Sequence, residues 1–160
     1  MPYWLQLVVQ ISFSYLATCA FAICINIPRK ALNACGIAGS VGWIVYWLLK
    51  NLSTGRMVAN LMGALAIGFC GILMARRKGM PVIIFNIPAL VPLVPGATAY
   101  RAIRALVLGN IDLAIQLIVS VTMVAGSIAV GFMLAQLIGE LTVYHSRSLP
   151  KLRRPGQRYK

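Results

Sequence analysis

The stretch NIPALVPLVPGATAY, Asn86 to Tyr100, places three prolines within eight residues and follows them with a glycine. A proline inside a helix removes a backbone donor and clashes with the preceding turn. Lipid cannot satisfy the backbone groups that such a break sets free. The meaning of this stretch therefore depends on whether the chain around it lies in a membrane.

The surroundings answer that. Of 160 residues, 60% are hydrophobic and only 17 are charged, and the mean hydropathy is +0.84. Charge-free windows run Met1–Pro28, Ala31–Leu49, Met57–Ala75, Gly79–Tyr100 and Leu113–Gly139, each of 19 residues or more. A spanning helix needs about 20. A soluble core does not confine its charges to short gaps and a tail. The pattern predicts an all-α integral membrane protein with five transmembrane helices, the fourth broken by prolines. Residues 1–144 form a single transmembrane domain and residues 145–160 a basic tail. The net charge of +13 sits at segment ends and in the tail, where it meets lipid headgroups, and does not point to nucleic acid.

The first segment, about Trp4 to Ile25, lacks a basic leader and is too long for a signal peptide, so it is expected to be retained. Segment two follows Pro28-Arg29-Lys30 and runs about Ala31 to Leu49. Segment three, about Arg56 to Ala75, closes on Arg76-Arg77-Lys78. Segment five runs about Asp112 to Leu137. If segment four crosses, one side carries eleven cations and the other only Lys50, Arg56, Arg101 and Arg104. If it dips in and returns, the split is seven against eight. The positive-inside rule favours five crossings, with the N-terminus outside, the C-terminus cytoplasmic and the chain in the inner (plasma) membrane.

Small residues at helical spacing (Gly36, Gly39, Ser40 and Gly42; Ala64, Gly68 and Gly71; Ser127 and Gly131) let helices approach closely. Cys19, Cys24, Cys35 and Cys70 have neither CxxC spacing nor a nearby His and read as small buried thiols. Gln116 and Gln136 read as buried amides bonding between helices.

Non-helical backbone at membrane depth survives where it is buried in protein or lines a wet cavity, and broken helices of transporters place their ends at the substrate. On this reading Pro81 to Val91 is one half, Pro92 to Gly96 the break and Ala97 to Leu108 a second helix. Its open N–H groups and positive dipole end suit a carboxylate. Asn86, Pro92, Pro95, Gly96, Thr98, Tyr100 and Arg101 are the candidate substrate-binding residues. A kinked helix without a ligand is the alternative. Arg101 and Arg104 share a helix face and serve either as snorkelling anchors or as an anion attractor. Asp112 and Glu140 are candidate coupling groups, against the alternatives of helix capping and pairing with the tail. His145 falls in the tail. No enzyme site emerges, and nothing calls for a metal or another cofactor.

INIPRKALNACGIAGSVGW, Ile25 to Trp43, followed by IPALVPLVPGATAY, resembles the threonine/serine exporter family. The likeness is to the small subunit, which corresponds to the C-terminal membrane half of the fused exporters. The matching positions are Asn26, Pro28, Pro88, Pro92, Pro95, Gly96 and Tyr100. The resemblance implies export of small carboxylates, threonine and serine or a dicarboxylate such as succinate. It also implies a larger membrane subunit with a cytoplasmic domain as partner. If both subunits have five crossings, joining them in series makes the pair an inverted repeat. The tail beyond Ser146 is longer and more basic than the resemblance leads one to expect. Two other readings compete: a self-sufficient oligomeric pore, and a non-transporting membrane anchor.

Overall fold

The computed structural model describes residues 2–52 and 54–147, with side chains to residue 141. Six helices account for it: α1 (Tyr3–Cys24), α2 (Arg29–Asn51), α3 (Arg56–Lys78), α4 (Ile83–Ala89), α5 (Gly96–Val107) and α6 (Ile111–Arg147). A 3-10 turn, Val91–Leu93, joins α4 towards α5. Helices α1, α2, α3 and α6 are each long and apolar enough to cross a membrane. The bent pair Ile83–Leu93 and Gly96–Val107 makes a fifth span if counted as one. The protein is a multi-pass membrane protein. The tail from residue 148 lies outside the described residues, as do the side chains of His145 and Arg147.

Neighbours run α1, α2, α3, α6, α5, and α4 lies in the crook of α2 and α3. The buried faces are built of small residues. Gly36, Gly39, Ser40 and Gly42 are buried on α2, and Ala64, Gly68 and Gly71 on α3. Lipid tails are as apolar as leucine, so helices associate through close packing and interhelical hydrogen bonds rather than through the hydrophobic effect. Ser14 accordingly donates to Gly39 O at 3.2 Å across the α1–α2 contact, and Trp43 Nε1 to Gln10 Oε1 at 2.7 Å. Gly131 is where α6 crosses α3. A Cβ added there would meet the Leu61 carbonyl, the Ala64 methyl and the Leu65 amide nitrogen.

The corner Asn26-Ile27-Pro28 has a purely local cause. Asn26 N–H bonds Ile23 O at 2.9 Å and Ile27 N–H bonds Ala22 O at 2.9 Å, which is the Schellman closure of a helix. That closure needs a left-handed residue, and Asn26 has φ 59°. Asparagine tolerates this region better than other residues with a Cβ. Pro28 then stands as the N-cap residue of α2 with ψ 134°. Asn26→Gly is therefore expected to leave thermal stability unchanged. Asn26→Leu should cost about 1–2 kcal/mol, read as a lower melting temperature of the detergent-purified chain.

Two side-chain expectations are corrected. Gln116 and Gln136 are exposed, because α6 buries only one narrow face, carrying Ala114, Val124, Ile128, Gly131, Ala135 and Gly139. Cys24 is exposed as well, at the last turn of α1, whereas Cys35 is buried and Cys19 and Cys70 are half-buried.

Candidate functional site: a cavity at the broken helix

The break is built stepwise by its prolines. Pro88 lies inside α4 and has no N–H to give to the carbonyl of Ile84. The Cys35 thiol of α2 reaches that carbonyl instead, at 3.5 Å. Leu93 N–H closes the 3-10 turn on Leu90 O at 2.9 Å. Val94 is then forced extended, ψ 129°, as a residue before proline prefers. Pro95, at φ −78° and ψ 48°, is the centre of an inverse γ-turn closed by Gly96 N–H on Val94 O at 2.8 Å. Helix α5 starts there, bent 58° from α4 and its turn.

This geometry leaves donors open. Gly96 N–H is used by Val94 and Ala99 N–H by Pro95 O. Among the described residues the intervening N–H groups of Ala97 and Thr98 have no backbone acceptor, and no side chain caps the helix. They form the positive end of the α5 dipole.

Beside that end lies a cavity of about 230 Å³. Pro92, Pro95 and Thr98 line it from the break, Lys50 from the last turn of α2, and Arg56 and Asn60 from the first turns of α3. Ser120 closes it from α6, and Trp43 and Tyr46 form an aromatic wall, their rings 5.2 Å apart. Lys50 Nζ stands 5.9 Å from the Tyr46 ring centroid. Asn60, only 3% exposed, is held by its own Nδ2 donating to Arg56 O at 2.8 Å. Two cations, three hydroxyl side chains and an amide thus line one cavity beside the open end of α5, with no acid among the lining residues. The volume is below the ~300–1,000 Å³ of pockets for drug-sized ligands, so the cavity suits a small anion.

The other sequence candidates lie elsewhere. Asn86 lines a second cavity of about 260 Å³ with Leu90, Phe132 and Gln136. Its Oδ1 is buried there without a hydrogen-bond partner and packs against Gly71. Arg101 lines a third cavity, between α5 and α6, with Arg104. Tyr100 is 67% exposed on the outer face of α5. Gly96 is exposed, and a Cβ built on it meets nothing within 4 Å. Asp112 and Glu140 are both exposed, Asp112 in the first turn of α6. Pro88 is buried in the core, and Asn26 and Pro28 belong to the α1–α2 corner. Among the described residues, no group of His, Cys, Asp and Glu has the arrangement of a metal site.

The cavity adds Lys50, Arg56, Asn60, Ser120, Trp43 and Tyr46, which the sequence reading did not single out. One signal was present: Arg56 and Asn60 are four apart and share a helix face.

Comparison with known proteins agrees with the motifs. Residues 10–138 match the family described as Threonine/Serine exporter, ThrE. An uncharacterized protein of Haemophilus influenzae is 29% identical over 105 residues, covering 66% of this chain and 35% of that protein. The chain thus spans about a third of the length of the curated relative it matches. No solved structure matches. With the family matched from the middle of α1 to the last turns of α6, the chain belongs to the threonine/serine exporter family.

Proposed function

We propose that this chain is the membrane half of a secondary exporter of small carboxylates in the inner membrane, working with a larger subunit, and that the cavity at the break binds the substrate. The observation that carries the reading is the convergence of Lys50, Arg56 and Thr98 on one cavity without an acid, beside the open N–H groups at the start of α5. A carboxylate bound there takes charge-assisted hydrogen bonds from the cations and dipole stabilisation from the helix end. Threonine and serine also carry an ammonium, for which the Trp43–Tyr46 wall offers aromatic faces. A dicarboxylate matches the two cations directly, and this favours succinate-like substrates as the second reading.

The same geometry suggests a route. The apolar cluster of Leu93, Val124 and Ile128, with Leu90 and Phe132 against it, supplies walls to both the substrate cavity and the Asn86 cavity. Val124 and Phe132 lie eight residues apart on α6, a rise of about 12 Å. In this scheme the cluster is the closed gate between an outer and an inner compartment. Asp112 and Glu140, exposed near opposite ends of α6, are the titratable groups open to ion coupling.

The test is efflux of labelled threonine, serine and succinate from loaded cells expressing this chain with and without its candidate larger subunit. Efflux requiring both chains supports a two-part exporter, and the fastest label gives the substrate class. Efflux from this chain alone supports an oligomeric pore instead. No efflux of any label from an intact complex removes the carboxylate reading. Gly96→Leu gives a finer check. The position has open space within the chain, so insertion and stability should be kept. Gly96 stands directly before the open N–H groups of Ala97 and Thr98, so if substrate reaches that helix end a leucine should obstruct it, and efflux should fall by about tenfold, the equivalent of one lost hydrogen bond. Unchanged efflux argues against substrate contact with the helix end.

A further inference from the structure

We propose that the wedge between α5 and α6 is a binding site for an anionic phospholipid, with Arg101 and Arg104 gripping its phosphate. The wedge is separate from the cavity at the break, and this inference does not rest on the transport reading.

A cavity of about 360 Å³ opens there. Arg101 and Arg104, three residues apart on one face of α5, both line it, and Asn110 stands beside them. Neither guanidinium makes a hydrogen bond or an ion pair within the described residues. The nearest acid in sequence, Asp112, does not line the cavity. Two guanidinium groups thus face one space with their donors unused. Like charges at this spacing repel, and charge at the edge of a membrane core is costly without a partner. An anion between them removes both penalties, and guanidinium meets phosphate with paired, parallel hydrogen bonds.

The rest of the wall chooses between a dissolved anion and a lipid. Leu108 of the turn, with Leu113 and Leu117 one helical step apart on α6, forms an apolar rail below the arginines. A free phosphate has no use for such a rail, whereas an acyl chain does. The outer face of α5 is equally apolar and open, with Ile103 64% and Val107 81% exposed, because α5 packs on α6 alone among the described elements. Lipid therefore has direct access to the wedge from the side of the helix.

The test uses the full chain, purified in detergent and stripped of lipid. It is titrated with phosphatidylglycerol and with phosphatidylcholine of the same acyl chains, and bound lipid is counted by native mass spectrometry. The expected result is one retained phosphatidylglycerol, bound at least tenfold more tightly than phosphatidylcholine. Arg101→Gln with Arg104→Gln should reduce phosphatidylglycerol to the phosphatidylcholine level, and Arg104→Lys should fall between. Inorganic phosphate at millimolar concentration should not displace the lipid. Equal binding of the two lipids by the native chain overturns the proposal, whether or not the variants fold. So does undiminished binding by a folded double variant. Displacement by inorganic phosphate assigns the pair to a soluble anion and overturns the lipid assignment.

Discussion

Replacing Lys50 and Arg56 together by glutamine is expected to lower efflux of the transported acid at least ~100-fold, with the protein still inserted and folded. Hydrogen bonds to charged groups contribute about 1.5–3 kcal/mol each, and two at the lower figure correspond to roughly two orders of magnitude. Both side chains are exposed at helix ends, so their removal leaves no buried group without a partner. The Lys50–Tyr46 contact at 5.9 Å is worth only about 0.5–1 kcal/mol at an exposed site, too little to unfold the bundle. The measurement is the initial efflux rate of labelled threonine, serine and succinate at matched membrane levels. The single variants add information about charge. If the substrate is a dianion, each should cost a similar factor. If it is a zwitterion, one cation should matter far more than the other. Efflux at the native rate from the double variant would remove the cavity from the transport path.

Much of the architecture was legible. Charge-free windows gave α1, α2 and α3 to within a few residues, because in lipid the apolar length of a segment is set by the bilayer rather than by its neighbours, whereas α6 runs on past the expected end at Leu137 to Arg147. The break was legible for a related reason. Proline acts through its own covalent geometry, so Pro92 and Pro95 interrupt the helix in any context.

The site was only half legible. Pro92, Pro95 and Thr98 face the cavity, but Tyr100 does not. Residues two apart on a helix point about 200° from one another, so Thr98 and Tyr100 cannot share a wall. Asn86 was separated from Thr98 by the 3-10 turn and the 58° bend, whose direction no residue pattern encodes. Lys50 and Arg56 looked like ordinary charges closing two helices. Their convergence on Thr98 depends on how α2, α3 and α6 pack around the break, and that is fixed by small-residue contacts such as Gly131 on the Leu61 carbonyl. Asn26 and Pro28 were legible as a motif but not as a cause, since the left-handed corner is seen only in the backbone.

The second large effect is expected at the break itself. Pro92→Leu combined with Pro95→Leu should bring efflux down to background while raising, or at least keeping, the melting temperature. Each proline in a helix interior is about 3 kcal/mol less favourable than alanine, so the natural sequence forgoes helical continuity at this point. With leucines, residues 92 and 95 regain donors, and the bonds to the Pro88 and Val91 carbonyls become available. The helix can then run on from α4 into α5, and the amides of Ala97 and Thr98 turn inward onto the carbonyls of Leu93 and Val94. Those are the donors that the bent structure leaves open at the start of α5. Straightening also carries Thr98 away from Lys50 and Arg56, because the three meet only across the bend. Circular dichroism should show a gain of a few helical residues, and the same labelled-acid assay should show no transport. Retained efflux together with the helical gain would mean that the break shapes the bundle without taking part in binding. Lost efflux with the helical gain ties function to the bent geometry, the open helix end together with the meeting of Thr98, Lys50 and Arg56 across it.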